Sequence, residues 1–322
     1  MAKIIIGIHG LGNKPPRKVL RKWWKKSLCD GLKRIGHNRL FFRFDMVYWA
    51  DIMHEAPLDL NEKDKENEFY IEEPYVPPQT DNDKEPGEFR KKVLDFIEKQ
   101  LDKIMLNDDL TVNYSFVTDL IIRHFFKELG CYFAMGNEDK QDSCPPVKDA
   151  TDTRLKEILM KHKGKEILLI SHSMGTIVAY DVLTQVGQEI PVDTFVTMGS
   201  PLGLPAIIGK LAAERTKITG TKFEARTPEN VVSQWFNFSD LEDKIAFNYN
   251  LGDDYKENTH KVLARDMIVY NNYTIDGNRN PHKAYGYLRT PELAQVIDDF
   301  LNRGRSKPIT KIMEWINKLF TQ

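Results

Sequence analysis

The chain alternates between short, continuously apolar runs and longer segments in which apolar residues recur every three or four positions. A short β-branched run is typical of a strand buried on both faces of a parallel sheet, whereas the longer spacing is typical of a helix with one buried face. The runs predict strands at residues 3–8, 41–49, 166–170, 194–198, 231–238 and 267–270. The helical spacing predicts helices at about 19–35, 153–163, 174–186 and 291–303. This alternation favours an α/β fold, with a mainly parallel sheet covered by helices on both faces.

The pattern changes between residues 51 and 150, and again after residue 303. Residues 59–88 carry eleven acids and three lysines among several prolines, which predicts little regular structure. Two helical patterns follow at about 88–105 and 112–129. We therefore treat residues 51–150 as an insertion into a domain that spans residues 1–303. Residues 304–322 predict a C-terminal amphipathic helix that packs on the protein, on a second copy or on a lipid surface.

Composition and charge narrow the cellular setting. The net charge is −1, so overall charge steers no particular partner. Lys14 to Arg34 nevertheless hold nine Lys or Arg residues and one acid, together with Trp23 and Trp24. This segment suits a solvated helix face or an anionic membrane surface better than nucleic acid, because its apolar stripe makes it a covering helix.

The cysteines and apolar runs point to a cytoplasmic protein, with peripheral membrane contact as a further expectation. Three cysteines form neither a disulfide framework nor metal-ligand spacing. The N-terminal apolar run is too short for a signal peptide. No apolar stretch reaches the roughly 18 residues that a spanning helix needs.

The segment Ser171-His172-Ser173-Met174-Gly175 lies between a predicted strand and a predicted helix, where a nucleophile elbow belongs. Such a turn is so tight that the residues two before and two after the nucleophile must be small, as Ser171 and Gly175 are. Ser173 is therefore the candidate nucleophile. The amide of Met174, at the helix start, points toward the same spot.

With His9-Gly10-Leu11-Gly12 directly after the first strand, the chain resembles the α/β-hydrolase superfamily, notably its lipase and esterase branch. The resemblance implies that the amides of Leu11 and Met174 form an oxyanion hole, and that His9 is a structural hydrogen-bonding residue. Gly10 and Gly12 would let the main chain approach the substrate carbonyl. The resemblance also implies that the insertion forms a lid or cap over the active site.

The chain order of this superfamily is serine, then acid, then histidine. Asp240 and Asp243 both follow a predicted strand, and Asp243-Lys244-Ile245-Ala246 resembles the acid loop of the superfamily. Asp243 is therefore the favoured acid and Asp240 the alternative. Only His260 and His282 follow both acids, and His282 lies before the final helix, as the base should. His172 is expected to pack locally.

Together these residues predict a serine hydrolase that cleaves a carboxylic ester of a small molecule or lipid through an acyl-enzyme. No cofactor and no metal are expected, since no ligand cluster, Walker loop or dinucleotide fingerprint is present. A thioesterase or acyltransferase with the same triad stays open. So does a non-catalytic binding protein on this scaffold.

Overall fold

The computed structural model describes residues 1–38, 41–78, 129–130, 132–133, 147–186, 189–246 and 248–304. Six parallel strands form one sheet in the spatial order β2-β1-β3-β4-β5-β6. The strands are β1 (Lys3–Ile8), β2 (Phe44–Val47), β3 (Glu166–His172), β4 (Val192–Met198), β5 (Val231–Ser239) and β6 (Ala264–Ile268). A small antiparallel hairpin joins β7 (Thr274–Ile275) to β8 (Asn278–Arg279). The predicted parallel sheet is confirmed.

Helices cover both faces of this sheet. In chain order they are α1 (Arg17–Arg34), α2 (Ala50–Met53), α3 (Val147–Lys161), α4 (Met174–Gln185), α5 (Pro205–Thr219), α6 (Leu251–Asp254), α7 (Ala284–Tyr287) and α8 (Pro291–Asn302). Helices α1, α7 and α8 pack into one core, and α3, α4 and α5 into the other. Prolines begin α5 and α8, where the fixed φ of proline fits and its missing N–H costs nothing.

The two cores explain why the strand sequences are continuously apolar. Along β1, Ile4, Ile6 and Ile8 belong to one core, whereas Ile5 belongs to the other. Each is at most 3% exposed, so each contributes about 1.5–3 kcal/mol of hydrophobic stabilisation. A polar residue at any of these positions would face a helix layer rather than water.

Some element boundaries differ from the predictions. Helix α5 was not predicted, because only Ala206, Ile207 and Leu211 of its fifteen residues are buried and the apolar stripe is weak. Helix α3 begins at Val147, inside the predicted insertion, and packs on the sheet. Residues 54–78 form no helix or strand, as their composition predicts.

Three predicted helices lie wholly or mostly outside the described residues. The helical pattern at 88–105 and the C-terminal segment from 305 onward are not among them, and of the pattern at 112–129 only residue 129 is described. Within the described part of the chain, no helix has the length and apolar character needed to cross a bilayer.

Candidate active site

The predicted site residues come together at the carboxyl edge of the sheet. Because all six strands are parallel, the loops that follow β1, β3 and β5 meet at the same edge. The loop after β1 carries His9, the turn after β3 carries Ser173, and the loop after β5 carries Asp243. His282 joins them from the loop that precedes α7.

Ser173 sits in a strained turn between β3 and α4. Its φ of 54° and ψ of −131° lie in a region that non-glycine residues rarely adopt. Such a conformation costs about 1–3 kcal/mol and persists only where neighbours fix it. The Ser173 amide donates to the Met198 carbonyl over 3.0 Å, and the Ser173 carbonyl accepts from the amide and the hydroxyl of Thr176.

The small residues that flank this turn are tightly packed. A Cβ at position 175 would lie 2.6 Å from the carbonyl oxygen of His9, so Gly175 has no room for a side chain. Ser171 is fully buried, and its hydroxyl donates to the carbonyl of Val196. A Cβ at position 10 would lie 2.6 Å from the Cβ of Ser173, which leaves room only for Gly10.

Ser173, His282 and Asp243 form a continuous hydrogen-bonded chain. His282 Nε2 lies 2.9 Å from Ser173 Oγ, and His282 Nδ1 lies 2.9 Å from both carboxylate oxygens of Asp243. A carboxylate only accepts hydrogen bonds, so Nδ1 carries the proton and Nε2 is the acceptor for the serine hydroxyl. Ser173 and Asp243 are buried, while the His282 side chain is 27% exposed and reaches the cleft.

Asp243 has three further donors besides His282. The amides of Ile245 and Ala246 donate to its Oδ1, and the hydroxyl of Tyr287 donates to its Oδ2 over 2.7 Å. The carboxylate is therefore fully satisfied without water. Burial raises the pKa of Tyr287 well above its ordinary value, as does the adjacent Asp243, so the phenol stays a neutral donor.

Asp240, the alternative acid, serves a different set of partners. Its carboxylate accepts from both Nη atoms of Arg279, at 2.8 and 3.3 Å, and from the amide of Asn271. Its own amide donates to the Tyr287 hydroxyl. Asp240 thus ties the acid loop to the hairpin that carries Arg279.

Two buried side chains hold the main chain around His282. Asn271 donates from Nδ2 to the carbonyls of Pro281 and Lys283, both over 2.8 Å. His172 Nε2 lies 2.7 Å from the carbonyl oxygen of His282, and only a protonated nitrogen can donate there. Burial and the nearby His282 lower the pKa of His172 far below its ordinary value, so the ring is neutral and its proton sits on Nε2. His282 is thereby positioned from both flanks.

His9 anchors the loop that follows β1. Its Nδ1 donates to the Gly10 carbonyl, and its Nε2 accepts from the amide of Trp49 over 3.0 Å. The Trp49 indole donates to the His9 carbonyl and stacks on the imidazole, with ring centroids 5.1 Å apart. Burial, helped by the charge of Lys14, lowers the pKa of His9 to about 3, so the ring stays neutral. His9 does not contact the Ser173–His282 pair by hydrogen bond.

The remaining loop residues line the space above Ser173. Gly12 has a φ of +79°, a conformation that favours glycine, and Leu11 faces the cleft. Lys14 Nζ donates back to the carbonyls of Leu11 and Gly12 and so closes the loop. Met174 is the first residue of α4, and its amide therefore has no acceptor within the helix.

A cleft of about 250 Å³ opens onto Ser173 and His282. One part of its wall is apolar, and its charged rim includes one residue of the predicted insertion, Glu73. The apolar side chains are Leu11, Leu20, Trp24, Ile245, Ala284 and Tyr285, and the charged ones are Lys14, Glu73 and Lys283.

Glu73 is locked to the loop that carries His282. It pairs with Lys283 over 2.8 Å and accepts from Asn280 Nδ2 over 2.6 Å. Burial alone would raise the pKa of Glu73, but the charge and hydrogen bond of Lys283 hold it below its ordinary value. Two neighbouring carbonyls, of Pro74 and Val76, accept from Tyr273 and Arg289. This part of the predicted insertion therefore borders the cleft.

Comparison with known families agrees with this architecture. The model of a family described as "alpha/beta hydrolase of unknown function (DUF900)" matches residues 130–201, the stretch that contains β3, the Ser173 turn and β4. The chain has the α/β-hydrolase fold. No curated protein matches the chain.

Four contacts of this site could not be predicted from the sequence. They are made by Trp49, Glu73, Asn271 and Tyr287, and each joins positions many residues apart. No local motif marks such residues. His260, the other histidine after both acids, is exposed. Among the residues that the structure describes, no three His, Cys, Asp or Glu side chains are arranged to hold a metal ion.

Proposed function

We propose that this protein is a serine hydrolase that cleaves carboxylic esters, with Ser173, His282 and Asp243 as its catalytic triad. The observation that carries the proposal is the unbroken Ser173–His282–Asp243 hydrogen-bonded chain at a strained turn, open to a cleft. A serine hydroxyl is a weak nucleophile, and this arrangement supplies the base and the orienting acid that it needs.

In the proposed reaction, Ser173 Oγ attacks the ester carbonyl while His282 Nε2 takes the hydroxyl proton. The tetrahedral intermediate collapses when His282 returns that proton to the leaving alkoxide, which departs as an alcohol. Water then attacks the acyl-serine while His282 takes a proton from it. The second tetrahedral intermediate collapses as His282 returns this proton to Ser173 Oγ, and the carboxylic acid leaves. Asp243 keeps the proton of His282 on Nδ1 and stabilises the imidazolium formed in each step.

The amides of Leu11 and Met174 are the proposed oxyanion donors. Met174 N–H is unpaired within its helix, and Leu11 lies on the cleft wall beside Ser173. In comparable sites, removing one such donor costs about 3 kcal/mol of transition-state stabilisation. The role of the His9–Trp49 contacts is then to hold the Leu11 loop against the turn of Ser173.

The apolar wall favours an ester whose acyl or alcohol group is itself apolar. Leu11 and Ala284 offer such a group a surface that excludes water, and the cleft volume suits a small one. A thioester or an acyl acceptor other than water would use the same triad.

Active-site labelling tests the proposal. A fluorophosphonate probe should modify the protein once, at Ser173, and Ser173→Ala should abolish both labelling and hydrolysis of p-nitrophenyl esters. Ser233→Ala is the matched control, because Ser233 lies on β5 and bonds Asp193 away from the cleft. Full hydrolysis by Ser173→Ala, or labelling at another residue, would refute the assignment.

A chain-length series identifies the preferred substrate. p-Nitrophenyl esters of increasing acyl length should show an optimum at short chains, because the cleft is small. The corresponding thioesters, and an added alcohol as acceptor, separate an esterase from a thioesterase or acyltransferase.

A further inference from the structure

A second cleft, distinct from the active site, lies along the free edge of the sheet. It has a volume of about 580 Å³ and is bordered by β2, by the first turns of α1 and by the end of α3. Six Lys or Arg side chains line it: Arg17, Lys18, Arg21, Arg43, Lys161 and Lys165. Asp45 is the one carboxylate of this lining, and His162 lies beside it. This concentration of positive charge stands out in a chain whose net charge is −1.

Asp45 does not neutralise the cleft, because its two oxygens are already bound by Arg17, Lys161 and His162. Oδ1 accepts from Arg17 over 3.1 Å, and Oδ2 accepts from Lys161 over 2.9 Å and lies 3.0 Å from His162 Nε2. Burial acts against the charge of Asp45, yet the hydrogen bonds from His162 and Lys161 keep the pKa of Asp45 well below its ordinary value. Asp45 therefore organises the cations around it and leaves most of their charge uncompensated.

Two arginines are fixed in place by the backbone of the edge strand. Arg17 donates to the Met46 carbonyl through Nε and Nη2, and Arg21 donates to the Phe44 carbonyl through the same two atoms. These bonds use one side of each guanidinium. The planar group is thereby held in a defined position, which lowers the entropy cost of binding an anion.

Covering the sheet edge accounts for Arg17 and Arg21, but not for the other side chains of this cleft. The side chains of Lys18 and Arg43 make no hydrogen bond or ion pair with any of the described residues. Like charges gathered in one cleft destabilise the fold unless a ligand compensates them. Trp24, which the sequence offered as a membrane anchor, is 1% exposed and packs into the core. Trp24 therefore does not line this cleft, whose six cationic side chains are completed by Ile4, Phe42 and Phe44.

We propose that this edge cleft binds a multiply charged phosphate group, carried either by a lipid headgroup or by a soluble organic phosphate. Phosphate oxygens accept several charge-assisted hydrogen bonds at once, and arginine offers paired donors that match their spacing. The proposal is independent of the hydrolase reaction, since no residue of the proposed triad lines the edge cleft.

Binding measurements on the full chain test it with two probes. Inositol trisphosphate is titrated by calorimetry at physiological ionic strength. Flotation then compares phosphatidylcholine vesicles that contain phosphatidylinositol bisphosphate with vesicles that carry the same total charge as phosphatidylserine. The test variant is Lys18→Gln with Arg43→Gln, because neither side chain has a partner among the described residues whose loss could disturb the fold. The control is Lys163→Gln with Lys222→Gln, two exposed lysines that do not line the cleft.

The test variant should weaken binding by about tenfold or more, whereas the control variant stays within about twofold. Binding of inositol trisphosphate with this difference supports a soluble phosphate ligand. Flotation only with the phosphoinositide vesicles, with the same difference, supports a lipid headgroup. Binding of neither probe overturns the proposal. Equal weakening in both variants, or equal flotation with phosphatidylserine, also overturns it by showing diffuse charge attraction.

Discussion

At the scale of single residues, the two neighbouring acids of the β5 loop have separate tasks. Asp243 meets His282 Nδ1, whereas Asp240 meets Arg279 and the amide of Asn271. We expect Asp243→Asn to lower kcat about 10⁴-fold, because the amide no longer holds the correct imidazole tautomer. Asp240→Asn should keep kcat within about tenfold but lower the unfolding free energy by about 1–3 kcal/mol, since Arg279 loses a charged acceptor.

Ester kinetics and urea unfolding of the two variants measure these effects. Because each substitution replaces one carboxylate by an amide of the same shape, each variant serves as the control of the other. A larger loss of kcat in Asp240→Asn would reassign the catalytic acid.

Tyr287 is a positioning residue that binds the same carboxylate of Asp243 as His282 does. Its hydroxyl donates to Oδ2 of Asp243 and accepts from the Asp240 amide, so it couples the two acids. Tyr287→Phe should lower kcat about tenfold with little change in KM, because the carboxylate loses a donor that fixes its orientation. An unchanged kcat with a lowered Tm would show a structural role only.

At the scale of elements, neutral histidines brace the two loops that border Ser173. His9 holds the β1 loop to Trp49, and His172 holds the loop of His282. Burial lowers the pKa of both, that of His9 to about 3. When the pH is below 6.5, the ordinary pKa of histidine, these two histidines therefore bind protons in the unfolded chain but not in the folded chain.

Stability should consequently fall as the pH drops below 6.5. Each of the two histidines contributes a slope of up to about 1.4 kcal/mol per pH unit. Urea unfolding between pH 7 and 5 measures the slope, and it should be shallower in His9→Gln, which removes one titrating group. Equal slopes in the two proteins would contradict the assignment of His9.

Elements were predictable where pattern and packing coincide. The bounds of β1 match because a run of isoleucines is buried on both faces. Strand β2 was predicted at residues 41–49 but forms only Phe44–Val47, because as an edge strand it pairs with β1 alone and over few residues. Sequence order placed Ser173, Asp243 and His282, which the structure brings into contact. Tyr287 and Trp49 could not be found, because their roles depend on contacts 44 and 40 positions away.

At the scale of the whole molecule, the described first part of the predicted insertion contains one segment bound to the core and one exposed segment. Residues 73–76 are fastened to the hydrolase core by Glu73–Lys283 and by Tyr75–Asp30. Residues 63–68 are exposed throughout and lie in no helix or strand. The exposed residues 63–68 therefore precede a segment, residues 73–76, that is bound to the core beside the cleft.

Limited trypsin digestion should cut first at Lys63 or Lys65 among the described residues, because exposed, irregular backbone enters a protease most readily. Mass spectrometry of the early fragments identifies the cuts. Exposed lysines on helices, such as Lys22 and Lys217, are the internal comparison. Early cuts at those helices, with Lys63 and Lys65 intact, would show that the acidic segment is protected.

The arginine contacts along β2 also bear on how the protein survives at high concentration. A sheet edge with unpaired carbonyls is a template for strand addition by another chain, and such pairing leads to aggregation. Arg17 and Arg21 occupy the carbonyls of Met46 and Phe44 and place a charge on each. We therefore expect Arg17 and Arg21 to protect this edge of the sheet against self-association.

Light scattering during refolding measures this protection. Arg17→Gln with Arg21→Gln should aggregate faster than Lys18→Gln with Lys22→Gln, which loses the same charge from the same helix but leaves the two carbonyls covered. Equal aggregation would attribute the protection to charge alone. Faster aggregation of the arginine variant would mean that Arg17 and Arg21 keep the protein soluble by blocking two backbone carbonyls. Those carbonyls would otherwise accept hydrogen bonds from the amides of a neighbouring chain.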